Sequence, residues 1–276
     1  MAVRGNPGSD RAAVGADWIT TAGRLRIGIS LQRVVGIRPD RYFVCSVAGG
    51  KIYLNVKESS MMLERSFGFY EQEKIKAVQA FLKPGDRFVD VGGNKGDFAL
   101  LAARLAGENG KVVCIKPEPT NHGWIRRSIE LNDYKNIHLC NLALSDRDGA
   151  CTLYLGTKSG FHTLLSGAPD RDKGSVTVKT RTLDNLLREL EVRAVNILKI
   201  DVEGAEVQVL KGARETIRAN PDMIILLDVH PFLGVNPSAV FECLHTVGLT
   251  ACQMCPPYNV PATPHEGIYE ILARRL

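Results

Sequence analysis

The sequence predicts an α/β protein with a mostly parallel, doubly wound sheet, an antiparallel edge and a small N-terminal extension. Two observations carry this. From Arg87 onward, short and almost continuously apolar runs alternate with amphipathic stretches of helical period. Strands apolar on both sides belong in a sheet covered by helices on both faces. The last two apolar runs, "LTACQMC" and "GIYEILARR", follow each other with no helical pattern between them, which suits an antiparallel pair at the sheet edge.

Residues 1–22 are rich in Gly, Ala, Arg and Asp without periodicity and read as a disordered tail. Residues 23–85 form the extension. In it, "RYFVCSVAGGKIYLNV" reads as two short strands around a turn at Gly49-Gly50, and "YEQEKIKAVQAFL" as a helix stopped by "KPGD". Residues 86–276 form the main domain. "RFVDVGG" is its first strand, and "DFALLAARLAG" a helix with Phe98, Leu101, Ala102 and Leu105 on one face. "KVVCIKP" is the second strand. "TNHGWIRRSIELND" is a helix that Thr120 could cap, with Ile125 and Ile129 inward. "NIHLCNLALS", "VNILKID" and "MIILLDV" are strands three to five, and "GAEVQVLKGARETI" is one helix between the last two. An insert at about 151–182 breaks the alternation and reads as a hairpin and loop.

The 276 residues suffice for one large core. A net charge of +5 permits an acidic partner without demanding one. No run reaches the roughly eighteen apolar residues of a membrane helix, and the start lacks the apolar centre of a signal peptide. A cytoplasmic protein with no transmembrane segment is expected. Seven irregularly spaced cysteines read as free thiols. "CQMC" has no second CxxC to complete a zinc site, and two ordinary thiols are the reading preferred.

The chief site signal is "DVGGNKG": Asp90, Gly92, Gly93, Asn94 and Gly96, after a strand and opening a helix. Ligands bind at such carboxyl ends, where glycines let backbone approach. The spacing is neither GxGxxG nor a P-loop. Asp90, expected to face the cleft, would repel a pyrophosphate but suits the ammonium of S-adenosylmethionine, which carries a sulfonium and no phosphate. The bland alternative is that Asp90 caps the glycine turn.

Here the chain resembles the FkbM-type family of S-adenosylmethionine-dependent methyltransferases. The resemblance runs from about Tyr70 to Pro231 through "FYEQE", "KPGDRFVDVGGNKG", "PEPTN", "NLALSDRDG", "TRTLDNLL", "LKIDVEGAEVQVLKGA" and "IILLDVHP", in that order. It implies a Rossmann-like methyltransferase fold and O-methylation of a hydroxyl on a sugar, polyketide or other natural product. It assigns Asp90, Gly92, Asn94 and Gly96 to the cofactor loop, and Tyr70 and Glu71 to a segment closing over the methionine end. The resemblance also implies that Asn141 lies near the adenine and Asp201 on the wall between cofactor and acceptor.

Lys116 stands where the resemblance implies a ribose-binding glutamate. A lysine donates only, where a carboxylate accepts two hydroxyl bonds. Losing them costs on the order of 1.5–3 kcal/mol, about ten- to hundredfold in affinity. Three explanations compete. Glu118 could supply the carboxylate, which is the expectation adopted. Binding could be weak, or the chain a catalytically impaired relative. A ribose phosphate could meet the lysine, against which Asp90 and the glycine spacing argue.

For the chemistry, Asp201, Glu203, Asp228 and His230 gather at the ends of strands four and five if those strands are neighbours. His230 is the expected base near neutral pH, and Asp228, two residues back on the same strand, would orient it. Asp201 could instead cap the following helix, whose dipole Glu203 and Glu206 would favour. The cluster could hold a divalent metal, but none is expected. His162 and Thr163 in the insert are candidate acceptor contacts. Partners are expected to be a hydroxylated small molecule or glycan, not nucleic acid; a homodimer stays open. The rival enzyme is a nucleic-acid methyltransferase, but "CPPY" at 255–258 lies far from the fourth strand and reads as a proline turn. The rival non-enzyme is a methyltransferase-like binding domain.

Overall fold

The structure is a computed structural model and describes residues 42–47, 49–55, 71–156, 162–166 and 174–276. The expected tail and Tyr70 lie outside them.

The extension begins with β1 (Tyr42–Val47) and β2 (Gly50–Asn55), paired antiparallel across the Gly49-Gly50 turn, followed by α1 (Gln72–Phe81). The main sheet has seven strands. β3 (Arg87–Val91), β4 (Lys111–Ile115), β5 (Ile137–Cys140), β9 (Ile197–Ile200) and β10 (Ile224–Val229) run parallel. β11 (Thr250–Gln253) and β12 (Tyr269–Arg274) close the edge antiparallel, in the order β11-β12-β10-β9-β3-β4-β5. The expected antiparallel pair is there.

Alternation along each strand divides the core. Val89, Val91, Leu198, Ile200, Leu227 and Val229 pack under α4 (Leu183–Glu189), α5 (Glu206–Lys211), α6 (Arg214–Ala219) and α7 (Pro237–Thr246). Phe88, Val112, Ile197 and Leu226 pack under α1, α2 (Asp97–Ala106) and α3 (Pro119–Leu131). Both faces are thus covered, as near-continuous apolar strands require.

Four local expectations are corrected. The single helix expected over "GAEVQVLKGARETI" is two, α5 and α6. At Gly212, between them, a Cβ would lie 2.1 Å from the Ser145 carbonyl oxygen, so the chain turns where only glycine fits. α2 is buried beyond its one predicted face, because Leu100 packs on Ile52 and Leu54 of the hairpin. "NIHLCNLALS" is not one strand. β6 (Ala143–Leu144) leaves the main sheet and pairs with β8 (Ser175–Arg181), which also pairs with β7 (Gly149–Tyr154). The cap of α3 is Glu118, not Thr120; its carboxylate accepts from the Thr120 and Asn121 amides at 2.9 and 2.6 Å, with Pro119 at the first helical position.

The hairpin β1–β2 is fastened to the turn after α3. Asn132 accepts from the Lys51 amide and donates to its carbonyl, Tyr134 donates to the Gly49 carbonyl, and Tyr42 stacks on Trp124 with ring centres 3.5 Å apart. Residues 255–258 form a turn, with the Tyr258 amide bonded to the Cys255 carbonyl. All seven cysteines are free. No helix among the described residues is long and apolar enough to cross a membrane.

Candidate functional site

A cavity of about 550 Å³ opens at the carboxyl ends of β3, β4, β9 and β10. Parallel strands leave their ends and the following turns on one rim, which is where such folds bind ligands. Val91, Ile115, Ala143, Leu144, Leu153 and Leu164 give an apolar wall. Gly92 and Asn94 come from the turn after β3, Lys116 and Pro117 from the end of β4, and Asp201, Glu203, Asp228 and His230 from the ends of β9 and β10. The insert closes one side through Leu153, His162 and Leu164.

The glycine turn is built by close packing. A Cβ on Gly92, at φ 84°, would sit 1.8 Å from the Asp201 carbonyl oxygen, so the β3 turn can close against the end of β9 only with glycine there. Gly93 lies on the Cys114 side of the turn, and Gly96 is the N-cap of α2. Asn94 adopts φ 42°, and its side-chain oxygen is buried with no hydrogen-bond partner among the described residues.

Asp90 does not face the cavity as expected. On β3 it shares the side of Phe88, while Val91 on the other side lines the cavity. Asp90 is fully buried, with Lys199 3.5 Å away, and burial raises its pKa despite that lysine. Lys199 also lies 3.5 Å from Asp201. Burial opposes its charge, but Asp201 and Asp90 outweigh this and raise its pKa.

At the end of β4, where a ribose contact was expected, the structure brings Lys116, not Glu118, to the cavity wall. Glu118 holds the start of α3 with both oxygens, so the expected substitution of one carboxylate for another is not what the geometry provides. Lys116 is buried, which lowers its pKa. Asn141 is exposed, its amide directed at the Lys116 and Pro117 carbonyls, and it does not line the cavity.

The structure brings part of the expected cluster together and separates the rest. β9 and β10 are neighbours, and His230 Nε2 lies 3.9 Å from Asp201 and 3.8 Å from Glu203. Asp228 does not orient the imidazole. β10 stops at Val229, and His230 leaves extended geometry at φ −116°, ψ 71°, so alternation no longer aligns the two side chains. His230 Nδ1 instead meets Glu206 Oε1 at 2.6 Å. Asp228 accepts from the buried Lys74 ammonium of α1 at 2.6 and 2.9 Å, and Lys74 also donates to Glu71 at 2.8 Å. Asp201 does not cap α5; the N-cap position is Ala205, without a side-chain bond.

Electrostatics follow from this crowding. Burial works against a charged His230, but the Glu206 hydrogen bond and the carboxylates of Glu203 and Asp201 raise its pKa to about 9. These neighbours favour the protonated ring, whereas the expectation was a free base. Burial lifts Glu203 to about 7. Burial also opposes ionisation of Asp201, yet Lys199, Lys74 and His230 depress its pKa. Lys74 is held charged, since Asp228 and Glu71 overcome its burial.

Of the two insert residues, His162 lines the cavity and its Nδ1 accepts from the Gly156 amide. Thr163 turns away: its hydroxyl donates to the Glu203 carbonyl. Lys74, Lys199 and the orienting role of Glu206 were missed. Lys74 had a signal, since it shares the inward face of α1 with Ala77 and Val78; a lysine there needs a buried partner.

Fold and cavity together define a Rossmann-like methyltransferase domain, with its antiparallel edge beside β10 and its glycine turn after β3. The chain belongs to the Methyltransferase FkbM domain family, which matches residues 90–242. It is 31% identical over 149 residues to Methyltransferase 1 of Beauveria bassiana, covering 47% of this chain and 59% of that protein. It is 26% identical over 182 residues to the hexuronic acid methyltransferase AglP of Haloferax volcanii, covering 65% and 70%. With the 2-O-methyltransferase NoeI of Sinorhizobium fredii it shares 27% identity over 154 residues, covering 51% and 62%. The chain thus spans about three fifths of two of these relatives and somewhat more of the third.

Proposed function

We propose that this chain is an S-adenosylmethionine-dependent O-methyltransferase acting on a hydroxyl of a sugar or similar natural product. The observation that carries the reading is the rim of Asp201, Glu203 and His230, lining the same cavity as the glycine turn. Family membership supports the methyltransferase class, and the relatives named for hexuronic acid and 2-O methylation support a sugar hydroxyl as acceptor.

The residues present fit the cofactor. The cavity is of the size that takes a nucleoside-bearing ligand. Asn94, with its orphaned buried oxygen, and Gly92 suit the methionine end; Glu71 belongs to the same end. Ile115, Leu144 and Leu153 offer the apolar surface an adenine needs. Lys116 is the exception, a cation where the ribose hydroxyls would call for an acceptor. When bound, S-adenosylmethionine supplies a methyl group on a sulfonium.

The chain's own residues then have three tasks. The carboxylates around the cavity favour a cationic ligand over an anionic one. The insert, through His162 and Leu164, limits water access to the rim. Glu203, whose Oε2 is buried and makes no hydrogen bond among the described residues, offers its carboxylate toward the acceptor hydroxyl, while Glu206 keeps the His230 ring in place.

The test is incubation with S-adenosylmethionine and a panel of hexuronic acid and neutral sugar glycosides, read by mass for one added methyl. Glu203→Gln and His230→Ala are expected to lower kcat by about 10²- to 10⁴-fold. If calorimetry finds no binding of the cofactor to the folded wild type, the reading fails.

A further inference from the structure

We propose that Asp201, Glu203 and His230 form a binding site for one divalent first-row cation, on the side of the cavity where the acceptor would sit. One ligand atom from each of these residues can be chosen so that all lie within 4.8 Å of one another. His230 Nε2 faces both carboxylates, at 3.9 Å from Asp201 Oδ1 and 3.8 Å from Glu203 Oε2. A small inward shift of these side chains would bring three donors to coordinating distance of a common centre.

A further feature points to a ligand. Glu203 Oε2 is buried and makes no hydrogen bond among the described residues; it faces His230 Nε2 at 3.8 Å, too far for one. The His230 side chain is 8% exposed, and its Nε2, turned to the same point, makes no hydrogen bond among the described residues. A buried oxygen left so is costly unless something fills that point.

The surroundings are those of a metal-binding histidine. Glu206, fully buried, meets His230 Nδ1 at 2.6 Å, so that Nε2 is the ring nitrogen left facing Asp201 and Glu203, and its lone pair would serve a cation that replaces the proton there. A carboxylate behind a ligating imidazole fixes its tautomer and raises its basicity. Glu206 is itself positioned by the Gly204 amide. Glu203 holds φ 52°, unusual for a non-glycine residue, and the Thr163 hydroxyl pins its carbonyl. The insert thus braces the turn that aims the carboxylate.

Donor chemistry narrows the cation. One imidazole nitrogen with two carboxylate oxygens suits Mn²⁺, Fe²⁺, Co²⁺ or Zn²⁺ more than an all-oxygen cation. Three protein donors leave coordination positions open toward the cavity. An acceptor with two adjacent oxygens, a vicinal diol or a hydroxyl beside a carboxylate, would fill them, and the cation would acidify the hydroxyl. This last step rests on the methyltransferase reading; the binding of the cation does not.

The test uses the full chain, freed of metal with a chelator and titrated with MnCl₂ while free Mn²⁺ is followed by electron paramagnetic resonance. One Mn²⁺ per chain is expected, displaced by Zn²⁺. Binding should disappear in Glu203→Gln and His230→Ala and weaken about 10- to 100-fold in the positioning variant Glu206→Gln. The exposed Asp146→Asn should bind as wild type does. Melting curves identify variants that have not folded, and for those the wild-type titration decides. No saturable Mn²⁺ or Zn²⁺ binding by folded wild type overturns the proposal, as does unchanged binding in folded Glu203→Gln and His230→Ala. S-adenosylmethionine affinity measured in the chelated protein tests the methyltransferase reading alone, so the two can fail separately.

Discussion

Lys116 and Glu118 are two residues apart and end in different places. Pro117 and the start of α3 separate them, so one lines the cavity and the other holds a helix N-terminus. Lys116→Glu is therefore expected to tighten S-adenosylmethionine about tenfold or more by restoring an acceptor for the ribose, whereas Glu118→Ala should leave affinity nearly unchanged; calorimetry on both checks this. Glu118→Ala should act on stability instead, costing about 1 kcal/mol as the loss of a cap. Burial opposes ionisation of Glu118, but the Asn121 and Thr120 amides win and lower its pKa from 4.5. Its contribution is then complete above about pH 4.5 and fades as pH falls through the lower folded value. The Tm gap between wild type and Glu118→Ala should narrow on acidification below about pH 4.5.

At the scale of elements, α1 is tied to β10 by a buried ion pair. Lys74 reaches Asp228 at 2.6 Å and draws Glu71 into the same network at the cavity edge. Lys74→Met would strand the buried Asp228 carboxylate and should destabilise by about 3–5 kcal/mol. Adding Asp228→Asn should recover part of the loss, a coupling that urea denaturation of the two single variants and the double would measure. The same contact explains why Asp228 is unavailable to His230. The break between α5 and α6 has an equally local cause: Gly212 lets the chain pass the Ser145 carbonyl, and a continuous helix would not.

Over the whole molecule, the cavity draws on the turn after β3, the ends of β4, β9 and β10, the start of α1, and the insert. A ligand held there by so many elements should stabilise all of them together. At a hundredfold excess over its Kd, S-adenosylmethionine is expected to add about 2.7 kcal/mol and to raise Tm by several degrees. Differential scanning fluorimetry with and without the cofactor reads this, and a flat response would favour a binding domain that has lost the cofactor.

Much of this was legible in the sequence because it is written in local patterns. Apolar runs and helical periods marked the parallel sheet and its helices. Glycines at fixed spacing marked the turn after β3, and the ordered motifs from "KPGDRFVDVGGNKG" to "IILLDVHP" marked the family. What the sequence could not decide depends on which face a side chain takes and who stands opposite. Asp90 turned beneath the glycine turn because strand alternation pairs it with Phe88. His230 found Glu206 because β10 ended one residue before it. Lys74 claimed Asp228 from 154 positions away. Period and propensity act over a few residues, so the chain alone determined the fold and the neighbourhood of the site. Only tertiary packing, which sets distances between segments remote in sequence, decided which carboxylate serves the histidine, which serves a lysine, and which merely holds a helix.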